Sequence, residues 1–235
     1  MNKPELKGPI KGARFIHRAI LNEALDFRRA ALALEVDDEP AAAGLKDRFD
    51  AFGAILKTHE DSEDLAIFPA IQARFPYIAD TYEFDHRGHR GHSEELLTTL
   101  AQLGAARGSR RRELVKLLGE QAVVFDAFMN LHIDKEDLLL FPTYDEVFSK
   151  EEQEAHGQAA QGRVPPEAMA KAGVWAFQRL DADYREGFLR LMMTMMPPEA
   201  FTGLTRGLAA SVPTSDWSEM TSRLPELTTL SLSQR

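Results

Sequence analysis

Two stretches of this chain carry the residues best placed to do chemistry, and they repeat one another. His59-Glu-Asp-Ser-Glu63-Asp-Leu-Ala-Ile-Phe-Pro69 and His132-Ile-Asp-Lys-Glu136-Asp-Leu-Leu-Leu-Phe-Pro142 share the His, the first Asp, the Glu, the second Asp, the Leu, the Phe and the Pro. A His and a Glu four residues apart lie on one helix face, about 6 Å apart along the axis, so a single helix offers a nitrogen and a carboxylate to one centre. With seven histidines and 37 acidic residues in 235, about one such pair is expected by chance. The repetition lifts the signal above that background. Each pair is also preceded by a histidine at similar distance, His17 by 42 residues before His59 and His86 by 46 before His132. The halves read as two related helical hairpins which, packed about a pseudo-twofold axis, bring four histidines and two glutamates into one interior.

Such a layer poses a burial problem. Ionisable groups on seams otherwise made of Leu, Ile and Phe cost several kcal/mol each if left without partners. A pair of divalent cations solves it, because imidazoles bind as neutral donors and carboxylates can bridge while offsetting the positive charge. The chain has no cysteine, so disulfides, iron–sulfur clusters, thiolate zinc sites and a cysteine nucleophile are excluded. Nitrogen and oxygen must do the binding. A nitrogen-rich shell disfavours calcium and magnesium, and spacing alone leaves iron, zinc and manganese open.

The elements that must position these residues are helices. Apolar residues recur at helical spacing through nearly the whole chain, and no segment shows strand-like alternation bounded by turns. A first helix is predicted over residues 13–35, with His17, Ile20, Leu21, Ala24, Phe27, Ala31 and Leu34 inward. A second starts near residue 41, its seam running through Leu45, Phe49, Phe52, Leu56, His59, Glu63, Ile67 and Ala70. A third covers 78–103, with His86, His89, Ser93, Leu96, Leu100 and Leu103 on one side. The fourth covers 109–148 and presents Leu114, Leu118, Gln121, Phe125, Phe128, His132, Glu136, Leu139 and Thr143. Pro69 and Pro142 predict kinks or endings just past the metal layer. The fold expected is all-α, an up-down-up-down four-helix bundle over 13–148. A Glu-, Gln-, Gly- and Pro-rich linker over 149–166 follows, and a helical extension over 167–235 packs on the bundle.

Composition narrows the function further. A net charge of −9 argues against a nucleic-acid partner. The one basic cluster, Arg107, Arg110, Arg111 and Arg112, sits by Gly104 and Gly108 and reads as a solvated turn. No apolar run approaches the roughly 18 residues needed to span a bilayer, and no signal-peptide stretch is visible, so a cytoplasmic protein without membrane contact is expected. Met192, Met193, Met195 and Met196 read as core packing, as do Trp175 and Trp217. His92 falls beside its helix seam, His156 lies in the linker as a solvated side chain, and Asp64 and Asp137 are candidates for orienting a histidine or for plain solvation.

Together these residues give the chain a family likeness over about residues 13–148. It resembles the haemerythrin-like, or HHE-domain, proteins, in which a histidine, a His-x-x-x-Glu, a second histidine and a second His-x-x-x-Glu on four helices hold a non-haem di-iron centre. The resemblance implies His17, His59, Glu63, His86, His132 and Glu136 as ligands of two iron ions, oxo- or hydroxo-bridged. A Glu directly after the second-helix histidine is similar to the iron- and oxygen-sensing haemerythrin domains of ubiquitin ligases, which implies Glu60 as a further ligand. The chain departs from the respiratory oxygen carriers at Arg90, where they place a histidine, and His89 is the substitute candidate. The function expected is binding and activation of O2 or peroxide, in the manner of an oxidase, oxygenase or peroxidase. The alternative is an oxygen, nitric oxide or iron sensing or storage module without catalysis. Expected partners are O2 or a reduced oxygen species, together with a small-molecule substrate or a partner protein met through the C-terminal helices.

Overall fold

The computed structural model describes residues 3–162 and 165–227; positions 163 and 164 of the expected linker and 228–235 of the expected extension lie outside the described residues. All regular structure among the described residues is helical. A short 3-10 turn, Pro9–Gly12, leads into α1 (Ala13–Leu32). Helix α2 (Glu39–Ser62) starts where the Asp38 carboxylate accepts the Ala41 N–H at 2.8 Å, with Pro40 in the first turn, where a missing N–H costs nothing. It ends in α3 (Phe68–Arg74), α4 (Asp80–Ala105) returns antiparallel, and α5 (Gly108–Lys135) continues into α6 (Phe141–Val147). The turn between α4 and α5 closes with Gly108 at φ +59, a conformation that favours glycine.

The two repeats break their helices in the same way. Glu63–Ile67 and Glu136–Leu140 are single π-turns, in which the N–H groups of Phe68 and Phe141 reach back five residues to the carbonyls of Glu63 and Glu136. The cause is in the sequence. Pro69 and Pro142 lack the N–H that an α-helix would give to residue i−4, and their rings crowd that carbonyl, so the ladder widens by one residue just before them. The extra residue rotates everything downstream. Ala66, Phe68 and Ile71 are buried where an unbroken α-helix would bury Ile67 and Ala70, which are half-buried. Leu139, expected inward, is 61% exposed, and Leu140, Phe141 and Tyr144 take the interior.

The bundle interior forms two apolar clusters. One is an aromatic body in which Phe49 meets Phe27, Phe52 and Phe125 at centroid distances of 4.7, 6.1 and 5.4 Å. The other gathers Leu6, Ile10, Phe68, Ile71, Tyr82, Phe141 and Tyr144 at the opposite end. The polar layer lies between them. Arg111, read as solvated, is instead buried, and its guanidinium donates to the carbonyls of Val36, Leu103 and Asp38, stapling the far end of the bundle.

The expected linker holds a helix, α7 (Lys150–Gln161), started by a reciprocal capping box between Ser149 and Glu152. Its Gln153 is buried, accepting the Ile10 N–H and donating to Asp145 and to the Phe148 carbonyl. His156 is not simply solvated, since its Nδ1 lies 2.6 Å from the Tyr144 hydroxyl. Beyond it run α8 (Pro166–Arg179), α9 (Ala182–Met195), α10 (Pro198–Ser211) and α11 (Thr214–Arg223). Helices α8 and α9 divide where the Asp181 carboxylate caps a new helix by accepting the Tyr184 N–H. Helix α8 docks on α1 and α2, where Trp175 stacks on Phe52 at 5.7 Å, and α9–α11 build a further core around Phe177, Leu189, Phe201, Leu208 and Met220. No helix among the described residues is long and apolar enough to cross a membrane.

Candidate metal centre

Four helices deliver one side chain or more each to a single buried layer. His17 comes from α1, His59 from the last turn of α2 with Glu63 at the first π-turn, His86 from α4, and His132 from the end of α5 with Glu136 at the second π-turn. All six are almost fully buried. They form two four-donor groups, His17–His59–Glu63–Glu136 and Glu63–His86–His132–Glu136, in each of which one ligand atom per residue lies within 4.8 Å of the others. Both groups use both glutamates. Each hairpin therefore supplies its own two histidines to one group, while the two carboxylates sit between the groups.

The outer ring nitrogens are tied down by aspartates. His17 Nδ1 donates to Asp137 at 2.9 Å, and His86 Nδ1 donates to Asp64 at 2.8 Å. The pattern is reciprocal, since the acid following each seam glutamate orients the lone histidine of the other hairpin. His132 Nδ1 reaches Asp85 at 3.2 Å. No repeat marks Asp85, which sits on α4 beside His86, so its role becomes visible only when α4 and α5 pack together. Stacking of His17 on Phe141 at 5.1 Å and of His86 on Phe68 at 5.2 Å fixes the ring planes and shields the layer from water.

In His17, His86 and His132 a proton committed at Nδ1 leaves the inward Nε2 bare, which decides what the layer can hold. His86 Nε2 and His132 Nε2 lie 3.1 Å apart, two lone pairs facing each other with no proton to share. His17 Nε2 lies 3.3 Å from Glu136, and His59 Nε2 lies 3.3 Å from Glu63. Among the described residues, seven of the eleven buried side-chain polar atoms that lack a hydrogen-bond partner belong to this region. They are Nε2 of His17, His59 and His89 and both carboxylate oxygens of Glu63 and Glu136. With the carboxylates ionised, acceptors converge on acceptors, an arrangement that is unfavourable in a dry interior and attracts a cation. The residues present fit a pair of metal ions.

Charge regulation of the metal-free layer says the same. Burial pushes the Glu63 carboxyl well above its ordinary 4.5, and the nearby Glu136 charge adds to that; Glu136 is raised likewise, by burial and then by Asp137. Burial drives the His59 and His132 imidazoles down from 6.5, with neighbouring histidines adding to it. Without cations these four groups are pressed towards their neutral forms. Asp137 differs: burial alone would raise it, but the bonds from His17 and Lys3 hold it below 3.8.

The metal-free protein is therefore expected to be most stable between about pH 4.5 and 6.5. Above 4.5 the unfolded chain ionises glutamates that the folded layer keeps protonated, so stability falls as pH rises. Below 6.5 the unfolded chain protonates histidines that the folded layer keeps neutral, so stability falls as pH drops, and between the two values the slopes oppose. Thermal unfolding of chelator-treated protein from pH 4 to 8 checks this, and a midpoint still climbing at pH 8 would contradict it.

Glu60 and His89 sit one step outside both groups. The Glu60 carboxylate lies 3.1 Å from His89 Nδ1 and accepts from Arg90 at 3.0 Å, and the His89 ring edges onto His132 at 4.7 Å. The residue that departs from the oxygen-carrier pattern, Arg90, thus neutralises the extra acid. His92 packs its edge on Phe128 at 5.3 Å, away from the layer.

Comparison with known proteins places this geometry. The family described as Hemerythrin HHE cation binding domain matches residues 9–159. Among curated proteins, zinc finger protein BRUTUS of Arabidopsis thaliana is 30% identical over 145 residues, 62% of this chain and 11% of that protein. A BRUTUS-like zinc finger protein of the same plant is 23% identical over 192 residues, 78% of this chain and 15% of its own length. The chain thus spans only about a tenth to a seventh of these relatives. No solved structure gives a significant match.

Proposed function

The chain belongs to the haemerythrin HHE cation-binding family, and on that footing we propose that its polar layer holds two iron ions and serves as a sensing module for iron and oxygen rather than as a catalyst. The observation that carries the reading is the sharing of Glu63 and Glu136 by two otherwise separate donor groups. His17 and His59 would hold one ion, His86 and His132 the other, and the two carboxylates would serve both. Iron rather than zinc is supported by the resemblance of this donor set to non-haem di-iron proteins. Two ferrous ions bound together would supply two electrons to one oxygen-derived ligand.

This chain's own residues orient the donors and connect them to the surface. Asp137 accepts from His17 and is bonded at 2.6 Å by Lys3, while Asp145, on α6 just beyond the second π-turn, accepts the N–H groups of Lys7 and Gly8. The N-terminal segment is thus anchored to the helix that carries Glu136. Filling the layer would rigidify that segment, and emptying it would remove the cations that tie the donors together beneath it.

Anaerobic iron loading followed by elemental analysis tests the reading. Two irons per chain are expected, with His59→Ala and His132→Ala each retaining about one because the other donor group stays whole. Iron loading is also expected to protect the N-terminal segment from proteolysis. No transition metal in fully folded, iron-loaded protein would overturn the metal reading, and equal protease sensitivity with and without iron would overturn the sensing one. One observation favours a second reading, a di-iron oxidoreductase: an apolar cavity reaches His59 and Glu63. Substrate-dependent oxygen consumption is what would support it.

A further inference from the structure

The cavity lies where α8 and α9 close over the bundle. Its walls come from the Pro9–Gly12 turn, α1, α2 and the first π-turn together with α6, α7, α8 and α9, and its volume is about 330 Å³. That is the lower end of the range for small-molecule sites, roughly 300–1,000 Å³. Phe15, Ile16, Ile55, Ala172, Phe188 and Met195 make most of the surface apolar.

The few polar groups in its wall are already engaged. Thr58 and Ser62 donate to the carbonyls of Ala54 and His59 on their own helix, Tyr144 is bonded to His156, and Gln153 is spent on Ile10, Asp145 and Phe148. Two lining residues are the exception. His59 Nε2 and both Glu63 carboxylate oxygens lack hydrogen-bond partners, and these residues are 8% and 3% exposed. The chamber is thus hydrocarbon-like everywhere except where it touches the donor group of His17 and His59. The histidines of the second group, His86 and His132, do not line it.

We propose that this cavity binds an uncharged, largely hydrocarbon small molecule, of bicyclic-aromatic or medium-chain size, with one end against the His59–Glu63 side of the metal layer. A charged ligand would find no free counter-group along the walls, and a strongly polar one would trade water for groups that are already bonded. An apolar ligand loses nothing there and gains from leaving water. The proximity to metal rests on the proposed function, whereas the occupancy of the cavity does not.

Two glycines make the site testable. Gly173 on α8 and Gly157 on α7 both line the cavity, and a Cβ built at either meets no atom within 4 Å, so larger side chains there would enter the chamber without displacing the fold. The full-length protein is titrated with N-phenyl-1-naphthylamine, an uncharged bicyclic fluorophore that brightens in apolar surroundings, with iron content measured on the same samples. Saturable binding of one probe per chain, competed by decan-1-ol, is expected. Gly173→Leu should weaken it at least tenfold, and Gly157→Leu serves the same purpose should the first variant fail to fold. Gly207→Leu, which has equal room on α10 outside the lining, should bind as the parent does. Iron loading should quench the bound probe. Absence of saturable binding, or unchanged binding in folded Gly173→Leu and Gly157→Leu, overturns the site. Bound iron with an unquenched probe overturns the placement beside the metal layer. Probe binding in protein that takes up no iron leaves the cavity assignment standing and removes the di-iron reading instead.

Discussion

Glu136→Leu is expected to strip the protein of both metal ions at once while making the metal-free form more stable. Glu136 is fully buried, belongs to both donor groups, and leaves both carboxylate oxygens without a hydrogen-bond partner. Removing a histidine empties one group, whereas removing this carboxylate breaks both. The same isolation makes the side chain a burden when no cation is present. Burial holds it protonated, and replacing a poorly satisfied buried polar group with a hydrocarbon of similar size is neutral or favourable. A gain of about 1–2 kcal/mol in metal-free protein follows, or about 2–8 °C for a chain of this size. Iron analysis and thermal unfolding of chelated samples read the two effects separately. Retention of even one iron per chain would show that the glutamate is not shared, and a fall in metal-free stability would show that it has structural partners.

The second large effect concerns the clasp that holds the C-terminal helices against the bundle. Glu23 on α1 is 2% exposed and accepts from Arg48 of α2 and Arg179 of α8, while Asn22 donates to the Arg179 carbonyl at 2.8 Å. The Arg179 guanidinium also lies 4.2 Å over the Trp175 ring, which itself stacks on Phe52. Burial alone would raise the Glu23 carboxyl, but the two arginines hold it below its ordinary value. Glu23→Ala leaves two guanidinium groups facing each other without the carboxylate. Breaking a fully buried ion pair costs about 3–5 kcal/mol. Here the arginine side chains are 33% and 25% exposed, so water recovers part of that and about 3 kcal/mol is expected. Protease sensitivity should appear in α8 and α9 and probe binding in the cavity should fall, while iron content is retained, because no metal donor touches the clasp. The double variant Glu23→Leu with Arg179→Met should recover much of the loss. Equal iron loss in Glu23→Ala would show instead that the C-terminal helices form part of the metal layer.

The sequence by itself determined the helical class, the repeated hairpins and the six residues that converge. Each of these rests on local periodicity, and a His and a Glu four apart share a helix face whatever the helix packs against. Pro69 and Pro142 were legible as interruptions. That they produce π-turns, and so rotate Leu139 outward and Phe141 inward, depends on the helix continuing past the proline, which only packing enforces.

Tertiary structure alone decided the rest. Asp85 reaches His132 and Asp137 reaches His17 across helices that are distant in the chain, and Glu60 turns to His89 and Arg90 beside the donor groups rather than among them. Arg111 sits in a run of arginines that reads as solvent-facing, yet the end of the bundle offers it the carbonyls of Val36, Leu103 and Asp38. The cavity belongs to no segment, because its walls come from six helices. Local sequence fixes what a side chain is and which face of its helix it occupies. Which partner meets that face is set by the burial of the whole chain, where each unpaired polar group must find a partner or a cation.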